Sequence, residues 1–443
     1  MLRPLFLCSV ASLCLLAVPA SSQDVDPAPA YGPVDENAKP EIEPAFVPNG
    51  IPNALVDAVA IASRNHPLVE RALADRKARQ AQRRGARWLR FPSLSVEGLA
   101  VTQGNQIGAQ DGLAANIIVE QPLYSFGRVN GTIEAADAAL ESSTNAVVSA
   151  QIEILLRTVA AYYDLALATE REDLIKASLS QHNDLLETIR RRVAQEVSPQ
   201  ADLELANSRV AQLEQDLAAV GGARSTAYSR LQELVGYSDV DFGTIPRFNP
   251  AIELPPEQSL VNAALECSPL LKSLRSTERE REAQRKVARS RLFPQLVAQG
   301  SNNEITGTRF GVALRLQTGN GLSQVAAVDS ARADILSAEF DTAAAEREIR
   351  ELIRVDYVTF VAARNRVTAS VRATLASDLV TESYKRQFIA GRRTWLDVMN
   401  AVRESTTASL TESEAELGAL AAYTRLMALS CTWQTPPLVA IEE

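Results

Sequence analysis

The sequence predicts a mainly helical protein with a small β part, in which one series of elements is built twice. Three observations support this fold class: motifs that recur 194 to 202 residues apart, long stretches without proline, and two pairs of short segments with alternating apolar residues. We predict that each half runs helix, two strands, very long helix, tight turn and second helix.

The internal repeat defines the domain organisation. The matched pairs are Pro67 with Pro269, Pro92 with Pro294, Gly127 with Gly321 and Asp202 with Asp397. Repeats of this kind are copies of one supersecondary unit. We therefore place the first structural repeat at residues 53–235, a proline-rich link at 236–256, the second repeat at 257–432 and a C-terminal tail at 433–443.

The N-terminal region predicts export from the cytoplasm. Residues 1–22 contain one early cation, an apolar run and then small residues, which is typical of a secretory signal peptide. Residues 23–52 contain seven prolines among acidic residues. Such a composition buries too little apolar surface to order itself, so we predict an extended linker.

Two cysteines, Cys267 and Cys431, lie beyond the predicted signal peptide. Both fall in sequence that otherwise looks helical, where cysteine usually behaves as a small buried apolar residue, and we expect that here. A disulfide between them stays open as the alternative, because an exported protein experiences an oxidising environment.

The predicted strands occur in two pairs, at 93–123 and at about Val297–Leu316. In the last strand, one face is apolar and the other carries Arg309, Arg315 and Gln317. This pattern fits a barrel wall with lipid outside and water inside. It fits equally an ordinary sheet whose apolar face packs on helices.

The long helix of the first half extends from about Arg128 to Glu196 without proline, which corresponds to about 100 Å of helix. A tight turn follows, in which Ser198 is the expected N-cap of the next helix and Pro199 its first residue. In the second half, Gly391 is expected in a left-handed conformation and Thr394 as the N-cap.

The composition disfavours several classes of function. The net charge is −9 and no basic patch is interleaved with aromatic residues, which argues against nucleic-acid binding. We find no phosphate-binding loop or catalytic triad, and we expect neither enzyme activity nor a cofactor. His66 and His182 have no ligand pattern around them and are expected to be solvated or capping residues.

Four strands are too few to close a membrane barrel, and open strand edges are not tolerated in hydrocarbon. No segment after the signal peptide has the roughly 18 to 20 consecutive apolar residues of a membrane helix. If the chain enters a membrane, it must therefore do so with strands pooled from several copies. A cyclic homotrimer would supply twelve.

Several motifs together resemble the TolC family of outer-membrane channel proteins, from about Asn53 to Cys431. Asn65-His66-Pro67 and Cys267-Ser268-Pro269 are similar to the family's Asn-Pro signature, although neither places Asn directly before Pro. The segment Gln121 to Arg128 resembles its strand-to-helix junction, which the second half keeps only as Gly319-Asn320-Gly321. VSPQADLELA and GRRTWLDVMNA resemble its two tip hairpins.

The resemblance implies a homotrimer with a twelve-stranded β-barrel in the outer membrane, continued by an α-helical barrel across the periplasm. It implies two partners, a periplasmic adaptor protein and an inner-membrane transporter, whose docking opens the periplasmic tip. The transporter would be an ABC transporter or a proton-driven pump.

The resemblance also assigns residues to a gate at the tip. Arg393 falls on the gating arginine, Asp202 on an acidic partner across the helix pair, and Asp397 on the first aspartate of a ring that narrows the pore. Two positions depart from the family pattern: Asn400 replaces a second ring aspartate, and Phe388 replaces a gating tyrosine. We expect a weaker or differently tuned gate.

The sequence also suggests which substrate such a channel would export. The stretch GRRTWLDVMNAVRE resembles channels of type I protein secretion more than drug-efflux channels. Small-molecule efflux is the first alternative. A periplasmic adaptor with a helical hairpin is the second, although an adaptor normally has one hairpin and this plan repeats.

Overall fold

The computed structural model describes residues 47–101, 112–236, 243–303, 307–316, 321 and 323–433. The predicted signal peptide, and most of the predicted linker and tail, lie outside these residues. The first half comprises α1 (Asn53–Asn65), α2 (Pro67–Trp88), β1 (Ser93–Val101), β2 (Gly112–Tyr124), α3 (Arg128–Ala194) and α4 (Gln200–Val235). The second comprises α5 (Glu257–Cys267), α6 (Pro269–Ser290), β3 (Gln295–Asn303), β4 (Gly307–Arg315), α7 (Ser323–Ile389) and α8 (Trp395–Leu429). The two halves have the same order of elements, as the repeat predicts.

Two long helical hairpins dominate the fold. α3 and α7 have 67 residues each, which corresponds to about 100 Å. α4 packs along α3, α8 packs along α7, and α3 also contacts α8. Within the described ranges, no helix is both long and apolar enough to cross a membrane.

The helical segment at the start of each half is broken before a proline. Proline disfavours a helical conformation in the residue before it, so α1 ends ahead of Pro67 and α5 ends ahead of Pro269. The His66 imidazole Nδ1 accepts the Leu68 N–H at 3.2 Å, and the Ser268 hydroxyl accepts the Leu271 N–H at 3.4 Å. His66 is therefore a capping residue, as expected.

The four strands form one antiparallel sheet in the order β1-β2-β3-β4, so β1 and β4 are its edges. Directly paired residues share a face of the sheet. One face carries exposed apolar side chains, and Phe310 is 86% exposed. These side chains are Leu94, Val96, Ile117, Val119, Phe310, Val312 and Leu314. The alternative of an apolar face packed on this chain's own helices is therefore wrong.

The opposite face of the sheet is polar. Its side chains include Ser95, Glu97, Asn116, Glu120, Gln299 and Arg309. Arg315 reaches across β3 and donates to both carboxylate oxygens of Glu120, at 2.8 and 3.1 Å. The sheet thus separates an apolar surface from a charged one.

The main hydrophobic core lies where α1, α5 and the end of α8 pack around the middle of α3 and α7. Its fully buried members include Leu55, Ile353, Phe360 and Leu426. Residues 47–52, the last part of the predicted linker, also pack here: Ile51 is buried, and the Tyr423 hydroxyl donates to the Asn49 carbonyl at 3.0 Å. The prediction of an unpacked linker is wrong for these six residues.

A disulfide joins Cys267 to Cys431, with 6.4 Å between the Cα atoms. The expectation that both are unbridged buried cysteines is wrong. Cys267 is the last residue of α5, and Cys431 follows the end of α8 with a left-handed φ of 56°. Because both cysteines lie at helix ends rather than within helices, their side chains can meet.

Candidate functional site

The two tip turns, between α3 and α4 and between α7 and α8, have the same backbone geometry. The Val197 N–H donates to the Arg192 carbonyl at 2.9 Å, and the Arg392 N–H donates to the Gln387 carbonyl at 2.8 Å. Each hydrogen bond joins residues five positions apart, which is the pattern of a Schellman motif at the end of a helix. The left-handed residue of the motif is Glu196 in the first turn and Gly391 in the second. The left-handed conformation predicted for Gly391 is confirmed.

The two turns differ in how the following helix begins. Thr394 caps α8 in a capping box: its hydroxyl accepts the Asp397 N–H at 3.2 Å, and the Asp397 carboxylate accepts the Thr394 N–H at 3.3 Å. The predicted cap at Thr394 is therefore confirmed. In the first turn, Pro199 is the N-cap and no side-chain capping bond forms, so the predicted Ser198 cap is wrong.

Asp397 combines two features that suit a charged ring. Its carboxylate also accepts the Thr394 hydroxyl at 2.8 Å. The hydrogen bonds from Thr394, and the neighbouring charge of Arg393, lower the pKa of Asp397 below its ordinary value. The side chain is 39% exposed. Asp397 therefore presents a fixed negative charge to solvent.

Arg393 folds back on its own hairpin. Its guanidinium carbon lies 4.3 Å from the centre of the Tyr384 ring, its Nε donates to Gln387 at 3.3 Å, and one terminal nitrogen lies 3.9 Å from Asp397. Within the described part of the chain, Asp202 is not among its side-chain partners. The predicted contact between Arg393 and Asp202 is thus not made inside one protomer.

Phe388 lies in the interior of the tip rather than at its surface. It is buried in a second hydrophobic cluster with residues of all four hairpin helices. The guanidinium carbon of Arg192, at the end of α3, lies 5.4 Å from the centre of its ring. A cation–π contact between the hairpins therefore occupies the position where a tyrosine would offer a hydrogen bond.

The two remaining predicted gate residues lie at the surface. Asp202 is half-buried in the first turn of α4, at the helix position that corresponds to Asp397 in α8. It has no ion-pair partner among the residues that the structure describes. Asn400 is exposed on α8, three residues after Asp397, so both face the same side of the helix.

His182 is buried, with 4% of its surface exposed, and the expectation that it is solvated or capping is wrong. His182 is a residue of α3, and its ring Nδ1 lies 2.8 Å from the carbonyl oxygen of Ser178 in the preceding turn. Burial, and the nearby charge of Arg209 on α4, lower the pKa of His182. A neutral imidazole is therefore part of the packed tip.

Sequence reasoning missed Tyr384, Gln387 and Arg192, the three residues that hold Arg393 and Phe388. One signal was present. Tyr384, Gln387 and Phe388 are spaced by three and four residues, which places them on one face of α7. No group of three His, Cys, Asp or Glu side chains in the described ranges is placed to hold a metal ion.

A sheet with an exposed apolar face, joined to two long helical hairpins, defines a membrane channel protein whose helices extend away from the bilayer. The chain belongs to the outer membrane efflux protein family, whose model matches residues 59–237 and 260–431. It is thus an outer-membrane channel that extends into the periplasm, and the alternative of a periplasmic adaptor is overturned.

The relatives and solved structures agree with this assignment. The "Toxin and drug export protein A" of Aggregatibacter actinomycetemcomitans is 21% identical over 334 residues, which cover 72% of this chain and 71% of the relative. The outer-membrane channel OprN is 18% identical with a TM-score of 0.78, covering 89% of this chain and 93% of OprN. VceC of Vibrio cholerae is 18% identical with a TM-score of 0.73, covering 85% and 96% of the two chains.

Proposed function

We propose that three copies of this chain form the exit duct of a tripartite export system. The observation that carries the proposal is the four-stranded sheet, with its exposed apolar face and its edges at β1 and β4. A sheet of four strands leaves two edges without partners, which hydrocarbon does not tolerate. Three sheets joined edge to edge supply twelve strands and close a barrel with the polar face inside.

The helices support the same assembly. α7 carries a series of large apolar side chains exposed in the single chain, of which Phe340 and Leu379 are 71% and 73% exposed. The others include Val325, Leu336, Val355, Val358 and Leu375. Exposed apolar stretches of this extent mark contacts between proteins. In a trimer, α7 would pack against the neighbouring copy and continue the barrel into the periplasm.

We place the gate at the tip turns. Among the described residues, the Asp202 carboxylate has no ion-pair partner, and the side chain of Arg393 contacts only residues of its own hairpin. In a ring of three copies, Arg393 of one copy would pair with Asp202 of the next, and Asp397 would ring the pore. Surface ion pairs contribute about 0.2–1 kcal/mol each. Links this weak would yield when an adaptor docks.

For the cargo, we propose type I protein secretion with an ABC transporter and a periplasmic adaptor. The support is the second tip hairpin, GRRTWLDVMNAVRE, together with the word "toxin" in the name of the Aggregatibacter relative. Small-molecule efflux with a proton-driven pump is the second candidate, because the same name includes drug export.

A deletion of the gene in its native host separates the two cargoes. Loss of a large protein from the culture medium, with unchanged sensitivity to drugs and dyes, supports protein secretion. Increased drug sensitivity with an unchanged set of secreted proteins supports efflux. Recovery of the protein as a soluble monomer after osmotic shock would overturn the trimeric duct itself.

A further inference from the structure

The junction between the sheet and the helices carries exposed aromatic side chains. Trp88, Phe91 and Tyr124 are 67%, 57% and 58% exposed. Phe126 and Phe293 are also exposed, and their rings stack with 5.1 Å between centres. Aromatic residues collect where a membrane protein crosses the boundary between hydrocarbon and water. These residues therefore mark the level at which the strands leave the bilayer.

We call four arginines near this aromatic boundary the junction arginines, namely Arg90, Arg128, Arg289 and Arg291. None of the four has a carboxylate partner among the described residues. Neighbouring cations do have one: Arg83 pairs with Asp137 at 2.5 Å and Lys286 with Glu134 at 2.7 Å. The nearby acidic residues of α3 already form ion pairs, so within the described part of the chain the junction arginines form a band of positive charge without carboxylate partners.

Two of the junction arginines are held close together. The stack of Phe126 on Phe293 brings the start of α3 against the end of α6, and the charge of Arg291 there acts on Arg128. Burial and the charge of Arg291 lower the pKa of Arg128. The two positive charges repel each other, and an anion bound between Arg128 and Arg291 would offset that repulsion.

The backbone at this point is also unusual. Phe126 has a φ of 48° and Gly127 a φ of 89°, so two successive residues are left-handed. This conformation is unfavourable for a bulky side chain, and such positions persist only where the surroundings impose them. The contacts of the Phe126 ring with Tyr124 and Phe293 hold it. The packing of Phe126 therefore fixes the position of Arg128, which has no charged partner of opposite sign among the residues that the structure describes.

We propose that the junction arginines bind the phosphate groups of anionic phospholipids in the periplasmic leaflet of the outer membrane, with Arg128 and Arg291 at the centre of the site. The helices extend into the periplasm, so the junction meets that leaflet. Guanidinium groups bind phosphate oxygens through paired, charge-assisted hydrogen bonds. The inference rests on the insertion of the sheet that the proposed function includes.

Trp88 offers a direct reporter of this site. The chain has three tryptophans, and the other two, Trp395 and Trp433, are buried with 7% and 3% exposure. Brominated lipid acyl chains quench tryptophan fluorescence only on contact. The purified full-length protein is reconstituted into phosphatidylcholine vesicles that contain either dibrominated phosphatidylglycerol or dibrominated phosphatidylcholine at the same mole fraction.

Quenching by brominated phosphatidylcholine reports insertion, and the excess quenching by brominated phosphatidylglycerol reports the arginine site. One arginine near an anionic surface favours binding by about fivefold, so we expect the site to prefer phosphatidylglycerol over phosphatidylcholine by about fivefold or more. Added salt should weaken this preference. Equal quenching by the two lipids overturns the inference and leaves the proposed function intact. No quenching by either lipid overturns both.

Substitutions at Arg128 and Arg291 test whether these residues cause the preference for phosphatidylglycerol. Arg128→Gln/Arg291→Gln is expected to lower the preference severalfold, and adding Arg90→Gln/Arg289→Gln to bring it to near one, whereas Arg128→Lys/Arg291→Lys keeps the charge and most of the preference. The matched control is Arg230→Gln/Arg372→Gln, which removes the same charge from exposed positions on α4 and α7 and should leave the preference unchanged. A preference that is undiminished in the first variant, with insertion retained, contradicts the proposal.

Discussion

Glu196 and Gly391 occupy the same left-handed position in the two tip turns, with φ of 56° and 72°. Each follows a 67-residue helix, and each turn is closed by the same backbone hydrogen bond over five residues. A residue with a side chain is strained in this conformation by about 1–2 kcal/mol, whereas glycine adopts it freely. The first turn therefore carries a local strain that the second does not.

We predict that Glu196→Gly stabilises the first hairpin by about 0.5–1 kcal/mol, because the gain at the turn exceeds the added freedom of glycine in the unfolded chain. The reciprocal change, Gly391→Ala, should destabilise the second hairpin by about 1 kcal/mol. No atom lies within 4 Å of a Cβ built at Gly391, so that cost comes from the backbone alone. Chemical denaturation of the two variants measures both effects. A loss of stability in Glu196→Gly contradicts the prediction.

The gate assignment leads to a second prediction. Arg393→Ala and Asp202→Ala should each raise single-channel conductance in planar bilayers, because either change removes the proposed ion pair between neighbouring copies. Three pairs worth about 0.2–1 kcal/mol each favour the closed state by at most about 3 kcal/mol. The expected effect is thus an increase in conductance rather than a complete loss of closure.

The control for this prediction is Arg392→Ala, which removes the same charge from the adjacent exposed position of the same turn. Its conductance should stay close to that of the unmodified channel. If Arg393→Ala and Asp202→Ala also conduct like the unmodified channel, neither residue takes part in closure.

Elements with a strong local signal were predictable from the sequence. The long helices follow from stretches without proline, the strand pairs from alternation, and the Thr394 cap from a threonine three residues before Asp397. These features depend on interactions within a few residues. The order of elements then followed from the repeat.

Features that depend on how helices pack against each other were not predictable in the same way. The burial of His182 and the cation–π contact of Arg192 with Phe388 are set by the relative rotation of helices that are distant in sequence. The disulfide required two helix ends, 164 residues apart, to meet. The residues next to each cysteine do not determine whether two such distant helix ends come together.

The disulfide gives a third prediction. A bridge between Cys267 and Cys431 restricts the unfolded chain, and removing a native bridge typically costs about 2–5 kcal/mol. We therefore expect Cys267→Ser/Cys431→Ser to lower the thermal midpoint, and reducing agent to lower that of the unmodified protein to a similar extent. Reducing agent should have no further effect on the double variant. Equal midpoints for all these samples would show that the bridge contributes nothing to stability.

His182 makes the stability of the tip depend on pH. Its pKa in the folded protein is lowered by burial and by Arg209, so between pH 6.5 and the lowered value the unfolded chain binds the additional proton. Stability at the tip is therefore full above about pH 6.5 and falls as the pH decreases through that interval. His182→Asn, whose amide can still donate to the Ser178 carbonyl, should lose this part of the pH dependence. Amide hydrogen exchange at residues 178–189, measured at pH 7.5 and 5.5 and corrected for its intrinsic pH dependence, tests this. The same loss of protection in both proteins on acidification would assign the effect to other groups.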